Sequence, residues 1–565
     1  MQKLGFALSI LVLPFFYHSV QAQAAETKAE TSTVSGRVTL KGEPARGVMV
    51  VLQAQSQMGQ VASTSPRARV DESGRFHFTG VPAGRYMVSA IAPGFVSPDE
   101  VSFGVLRGKT LNVAEGEKVE NLELEIRRGG VIAGRVTDSQ GGPVIEETIN
   151  LGKLDRNNRA QSFFLYSPNY EMQRTDDHGV FRIYGLPEGR YLVSVGYAQT
   201  PGSASIASSR EFYPRVFYPN ATSETEAKVI EISEGSEATD IDITVPDPKQ
   251  THDVYGRVLD AGTGQPVTGV DVVIGGLTPD GKYSGVYAGA GARSETKGEF
   301  RIFGALPGRY AILVRPGDLN GPAGYISEPV IFDVSEGDAT GVEVRVSQGA
   351  SISGVAVIEG TNDPKVLAKL SQISLNAFIR PTRAGEQVPP SRGFNRVNAD
   401  GSFRISGLRP GKVRITLIQL QNAQDLSIAR IERNGATVGD GIDIEAGDQV
   451  TGVRLVLVHG SFTLRGELKI VGGALPAGYM FYATARRNGD QSTLSSRGVE
   501  IDARGQFLFE NMPPGEYEIG VQPTAYQDGQ PLSPEVRGLI SSVREKVIIS
   551  SGNQQPVTLV IDLGR

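Results

Sequence analysis

One glycine-centred phrase recurs five times along this chain, and no other feature limits the possible folds as sharply. It reads Phe76-His-Phe-Thr-Gly-Val-Pro-Ala-Gly84-Arg-Tyr86, Phe181-Arg-Ile-Tyr-Gly-Leu-Pro-Glu-Gly189-Arg-Tyr191, Phe300-Arg-Ile-Phe-Gly-Ala-Leu-Pro-Gly308-Arg-Tyr310, Phe403-Arg-Ile-Ser-Gly-Leu-Arg-Pro-Gly411-Lys-Val413 and Phe507-Leu-Phe-Glu-Asn-Met-Pro-Pro-Gly515-Glu-Tyr517. Successive anchoring glycines stand 105, 119, 103 and 104 residues apart. Such a period is the length of a whole domain, so each copy is expected to hold its own core.

Two further phrases keep their order around the first. An opening strand carries a central glycine at Gly36, Gly134, Gly256, Gly354 and Gly466. A closing phrase places a turn before alternating apolar residues, as in Glu115-Gly116 leading to Leu122-Glu-Leu-Glu-Ile126, and it weakens in the fifth copy. Alternation with period two puts apolar side chains on one face of a strand and charges on the other. Strands follow at short intervals with Gly, Asp and Asn between them, which is the pattern of an all-β sandwich. Asp71-Glu-Ser-Gly74, Asp176-Asp-His-Gly179, Glu295-Thr-Lys-Gly298 and Asn398-Ala-Asp-Gly401 read as tight turns into the phenylalanine strands. Tyr86, Tyr191, Tyr310 and Tyr517 are expected to turn their rings inward and bond loop backbone, as in a tyrosine corner.

Taken together, Gly-Arg-Val in the opening strand, Asp-x-x-Gly-x-Phe, Gly-Leu-Pro-x-Gly-x-Tyr and the closing alternation resemble the carboxypeptidase regulatory-like domain, a transthyretin-like sandwich. They are also similar to B-type repeats of adhesins. The resemblance is strongest in copies one to three. It implies a tandem array of five Greek-key, transthyretin-like (Ig-like) β-sandwich domains after a signal peptide, without catalysis, of a kind common in bacterial envelope and secreted proteins. No ligand site transfers with it.

Boundaries follow from the polar joints: 1–22 signal peptide, 23–30 linker, then sandwiches over 31–128, 129–248, 249–348, 349–459 and 460–565. Joints this short favour an abutting rod over freely jointed beads. Lys3, the apolar run over 4–17 and the small residues Val20, Ala22 and Ala24 form a secretory signal, with cleavage after Ala22 or Ala24. The run is too short to span a bilayer, and no later stretch serves as a transmembrane segment. The expected location is therefore secreted or periplasmic.

Composition removes whole classes of chemistry. The chain has no cysteine, no tryptophan and five histidines, so thiolate metal sites, disulfides and cysteine nucleophiles are excluded. No histidine begins a His-x-x-Glu pair, and no Gly-x-Ser-x-Gly elbow or phosphate loop occurs. Asp176-Asp177 and Asn398 with Asp400 are read as turns rather than calcium ligands. No lysine recurs in the opening strand to form isopeptide cross-links. A net charge of −6 argues against nucleic-acid binding. No catalytic residue, metal or cofactor is expected.

The second copy, the longest, departs from the others by two aromatic insertions. One carries Phe163, Phe164, Tyr166 and Tyr170; the other carries Phe212, Tyr213, Phe217 and Tyr218. Aromatic faces of this kind either pack on a neighbouring unit or stack on a ligand such as a sugar. Two functions follow: a non-enzymatic envelope or secreted protein that binds polysaccharide or glycan through this set, or a structural spacer or protein–protein interaction scaffold of the cell envelope, with an envelope protein as partner and no sugar binding.

Overall fold

The computed structural model describes residues 32–54, 65–98, 108–163, 173–197, 207, 209–278, 280–315, 324–379, 392–419, 423, 425–439, 441–460, 462–473, 479–488, 497–525, 532–550 and 555–564. The signal-peptide and cleavage assignments lie outside them.

The fold is all-β. In the first unit the opening strand Ser32–Leu40 is flanked by the phenylalanine strand Arg75–Val81, antiparallel, and by the closing strand Lys118–Arg128, parallel. A second sheet runs in the order Arg67–Arg69, Met49–Ala54, Gly84–Ile91 and Lys109–Val113. Side chains that alternate inward from both sheets meet between them, among them Val34, Val38, Leu52, Phe76, Val88, Leu111 and Leu124. The same arrangement recurs around each copy of the phrase. Five large clusters of buried residues result, drawn from Val34 to Ile126, Ile132 to Val245, Val254 to Val346, Ala350 to Leu457 and Leu464 to Ile561.

The central glycine of the opening strand has a steric cause. The closing strand bulges beside it at Asn121, Asp240, Gly341 and Gly452, all with positive φ. The bulge drives the next carbonyl inward, so a Cβ on Gly36 would stand 2.0 Å from Leu122 O, and one on Gly354 would stand 1.7 Å from Val453 O. The phenylalanine ring of the phrase fills the space left, and a Cβ on Gly256 or Gly466 would meet Phe300 or Phe507 at 2.3 or 2.1 Å. Glycine is thus fixed by bulge and ring together.

The tyrosines behave as the phrase suggests. Tyr86 and Tyr191 donate their hydroxyls to Pro82 O and Pro187 O at 2.8 and 2.7 Å, Tyr310 donates to Leu306 O at 2.7 Å and Tyr517 to Pro513 O at 3.1 Å. In the fourth unit Val413 fills the same buried position with no hydroxyl. Asp71 and Asp176 each accept two backbone N–H groups in their turns, at 2.8 to 2.9 Å. Those bonds hold both carboxyls below the usual range.

The expected rod does not form. The chain returns on itself, and the fifth unit lies against the first. Three of the four covalent joints bring backbone of neighbouring units into direct contact. A Cβ on Gly129 would stand 2.5 Å from Gly185 Cα, one on Gly349 2.9 Å from Gly407 Cα, and one on Gly460 2.8 Å from Asn511 O. Gly185, Gly407 and Asn511 occupy the same place in the phrase, and all have positive φ. Asparagine is the usual non-glycine choice there.

Candidate functional site

In the second aromatic insertion the two phenylalanines are buried and the two tyrosines are partly exposed. Phe212 is 3% exposed and packs with Ala207 and with Leu306 of the third unit, and Tyr197 meets its ring edge-on at 6.4 Å. Phe217 is 8% exposed. Tyr213 and Tyr218 are half-buried against the core of the second unit, and the Lys228 ammonium stands 5.6 Å above the Tyr218 ring. A short sheet pairing Glu211–Phe212 with Lys249–Gln250 carries the ring of Phe212 into the seam with the third unit. Phe163 ends the outer strand Ala160–Phe163 of its sheet. Phe164, Tyr166 and Tyr170 lie outside the described residues.

The insertion also brings a charge to this seam. Asp253 of the third unit has a side chain only 1% exposed, and it accepts from Arg301 Nε at 2.8 Å and from Arg210 Nη1 of the insertion at 3.1 Å. Burial by itself raises this carboxyl, but the hydrogen bond from Arg301 and the charges of both arginines outweigh it and hold it below the usual range. The Arg210 guanidinium lies 4.5 Å above the Phe303 ring. Ala207 N–H donates to Gly304 O at 2.9 Å, and Thr251 N–H to Arg210 O at 2.8 Å. At the next joint but one, Asp425 accepts from Lys369, and its carboxylate lies 2.7 Å from His459 Nε2.

Among the described residues, the seam between the first and fifth units has no counterpart elsewhere in the repeat. Lys109–Val113 is the edge strand of the second sheet in unit one, and its outward residues Thr110 and Asn112 are buried. The equivalent outward residues Glu231, Ile331, Asp333, Asp443 and Ile548 are exposed. Asn112 is covered by a fifth turn, Asp502-Ala-Arg-Gly505. Its N–H donates to Asp502 Oδ2 at 3.1 Å, its Nδ2 to Gln506 O at 2.8 Å and to Glu500 O at 3.2 Å, and its carbonyl accepts from Arg504 Nη2 at 2.6 Å. Asp502 is 5% exposed, whereas Asp71, Asp176, Glu295 and Asn398 at the same turn position face solvent.

Charge pairs frame this contact. Glu117 accepts from Arg504 Nη1 at 2.9 Å and from Arg465 Nη2 at 3.3 Å, and Glu510 lies 3.6 Å from Arg85. Burial raises the carboxyls of both Glu500 and Glu510 above the usual range; the neighbouring Asp502 adds to the shift at Glu500, while Arg85 opposes it at both. A cleft of about 530 Å³ opens beside the seam between Lys109, Thr110, Leu468, Phe481 and Glu500. None of Asn112, Glu117, Arg504 or Glu510 carries a motif. Only the turn pattern Asp-x-x-Gly at Asp502 is legible, and it looks like any other copy.

Elsewhere, Asp176, Asp177 and His178 bring ligand atoms within 4.8 Å of one another on an exposed turn. Asp176 Oδ1 is already taken by two backbone N–H groups. Among the described residues no helix is long and apolar enough to cross a membrane.

Residues 33–116 match the model of the carboxypeptidase regulatory-like domain family. The resemblance read from the repeated phrases therefore holds for the first unit. Among solved structures, a streptococcal ancillary pilin shares 15% identity at a TM-score of 0.23, covering 56% of this chain and 99% of its own. The TIE protein of Bacillus anthracis shares 14% at 0.15, covering 76% and 69%. The major pilin subunit BcpA of Bacillus cereus shares 12% at 0.14, covering 56% and 100%. No curated protein matches the chain.

Proposed function

We propose that this protein is a non-enzymatic scaffold outside the cytoplasm, built from five tandem sandwiches whose surfaces join units and partners and perform no chemistry. One observation carries the reading: among the described residues, polar and aromatic side chains that set units two and five apart are engaged at seams. Phe212, Arg210 and Asp253 join the second unit to the third, and Asn112, Asp502 and Arg504 join the first to the fifth. Buried groups that satisfy one another set geometry, and a reacting centre needs groups left free for substrate. Binding of the intact chain to a panel of insoluble polysaccharides and soluble glycans tests the reading. The scaffold predicts no retention, and saturable retention on a glycan would replace it.

Carbohydrate binding keeps one supporting feature. Phe163 ends an outer strand at the point where the first aromatic insertion begins. Retention that is lost with Tyr166→Ala and Tyr170→Ala, and kept with Phe212→Ala, would assign the sugar site to that insertion.

A further inference from the structure

We propose that the seam between the first and fifth units is a recognition pair that also works between chains, so that the fifth unit of one copy docks on the first unit of another. The inference rests on the scaffold reading and names one partner, a second copy of this chain.

The internal comparison supplies the argument. Five units carry the same edge strand and turn, yet among the described residues only one strand and one turn are covered, and they cover each other. The strand is adapted for this by Asn112, whose backbone N–H, carbonyl and Nδ2 are all satisfied by the fifth unit. The turn is adapted by Arg504, which reaches both Asn112 O and Glu117. The two faces differ, so the contact is heterologous. Such a pair closes a ring when geometry lets it and otherwise links copies head to tail.

Each face belongs to a unit with its own core, and among the described residues the two core clusters stay separate at the seam. Polar seams of this composition behave like transient protein–protein interfaces, and the groups they bury regain water on opening. Closure within one chain wins at low protein concentration because the tethered face is present at high effective concentration. Any bend at the intervening joints removes that advantage and leaves both faces ready for a second copy.

The test uses two full-length variants, Asn112→Asp and Arg504→Glu. The first sets a carboxylate against Asp502 and Glu500. The second sets one against Glu117. Each alone is expected to open, seen as a larger radius of gyration in small-angle scattering, and to stay monomeric in light scattering. Mixed, they regain one intact seam, because the first retains a sound fifth unit and the second a sound first unit. The expected result is a one-to-one dimer that dissociates on dilution and in high salt. Two open variants that stay monomeric when mixed would overturn the proposal, and so would variants that remain as compact as the parent. Thr110→Arg replaces Asn112→Asp if that variant fails to fold. Glycan retention by the parent chain would remove the scaffold reading while leaving the dimer readout untouched.

Discussion

Replacing Phe212 by alanine separates packing from ligand binding at the insertion that sets the second unit apart. The ring is 3% exposed and fills the space between Ala207, Leu306 and Tyr197. Removing a buried phenylalanine costs about 3–5 kcal/mol, transfer and cavity together. The insertion belongs to a seam and relaxes more readily than a sandwich interior, so the lower value of about 3 kcal/mol is the working figure. At about 1.4 kcal/mol per decade this is roughly a hundredfold change in the local opening equilibrium. Multi-unit chains seldom unfold in one step, so a global midpoint is a poor readout. Hydrogen exchange at two amides reports the seam itself: Ala207 N–H, bonded to Gly304 O, and Thr251 N–H, bonded to Arg210 O. Both are expected to lose about two decades of protection in Phe212→Ala, a change consistent with the cost above. Amides in the core of the fifth unit should not change. A ring lying open for a ligand would leave stability within about 0.5 kcal/mol. Unchanged protection at Ala207 and Thr251 would therefore refute the packing argument.

Other expectations follow from the same geometry. Gly354→Ala brings a methyl against Val453 O, a backbone atom that cannot yield, and should unfold the fourth unit to limited proteolysis. Gly498→Ala meets nothing within 4 Å and should change calorimetric stability by less than about 0.5 kcal/mol. Tyr310→Phe leaves the buried Leu306 carbonyl without its donor and should cost about 1–2 kcal/mol in denaturant unfolding of the third unit. Burial pushes the Tyr310 phenol up to about 12. Its contribution is complete below the ordinary tyrosine value near 10 and is lost as pH rises towards 12, so absorbance titration should find this phenol ionising well above the ordinary value, with unfolding. Glu500 and Glu510 are raised by burial, with Asp502, Arg85, Thr110 and Tyr482 around them. Their folded values lie above the unfolded ones, so their contribution is present at low pH and is lost as pH rises through the raised values. The seam should tighten as pH falls from neutral towards the ordinary carboxylate range, read as energy transfer between labels on units one and five.

Much of the sandwich was legible because its causes are local. The alternation Leu122-Glu-Leu-Glu-Ile126, the turn at Asp71 and the tyrosine bond from Tyr86 to Pro82 O each act within a few residues of themselves. Gly36 is partly legible: the sequence marks the glycine, but its reason is a carbonyl 86 positions later, Leu122 O. The seams were not legible. Whether Phe212 faces water or Leu306 depends on the angle between two units. The rod failed for the same reason, since short joints imply stiffness but not direction. Asp502 shows the limit well: it forms the same turn as Asp71 by the same two backbone bonds, and only the return of the chain buries it.

The parallel pairing of opening and closing strands has a mechanical consequence. Each unit is entered and left by adjacent strands running the same way, so tension along the chain slides one along the other and strains all their hydrogen bonds together. Resistance then follows the length of the paired stretch. It is longest in the fourth unit, from Ser351 to Glu359, and broken in the second into two short pieces, Val131–Ile132 and Val136–Thr137. A pulled chain should yield first at its second unit, the same one whose Arg210 and Phe212 brace it against the third.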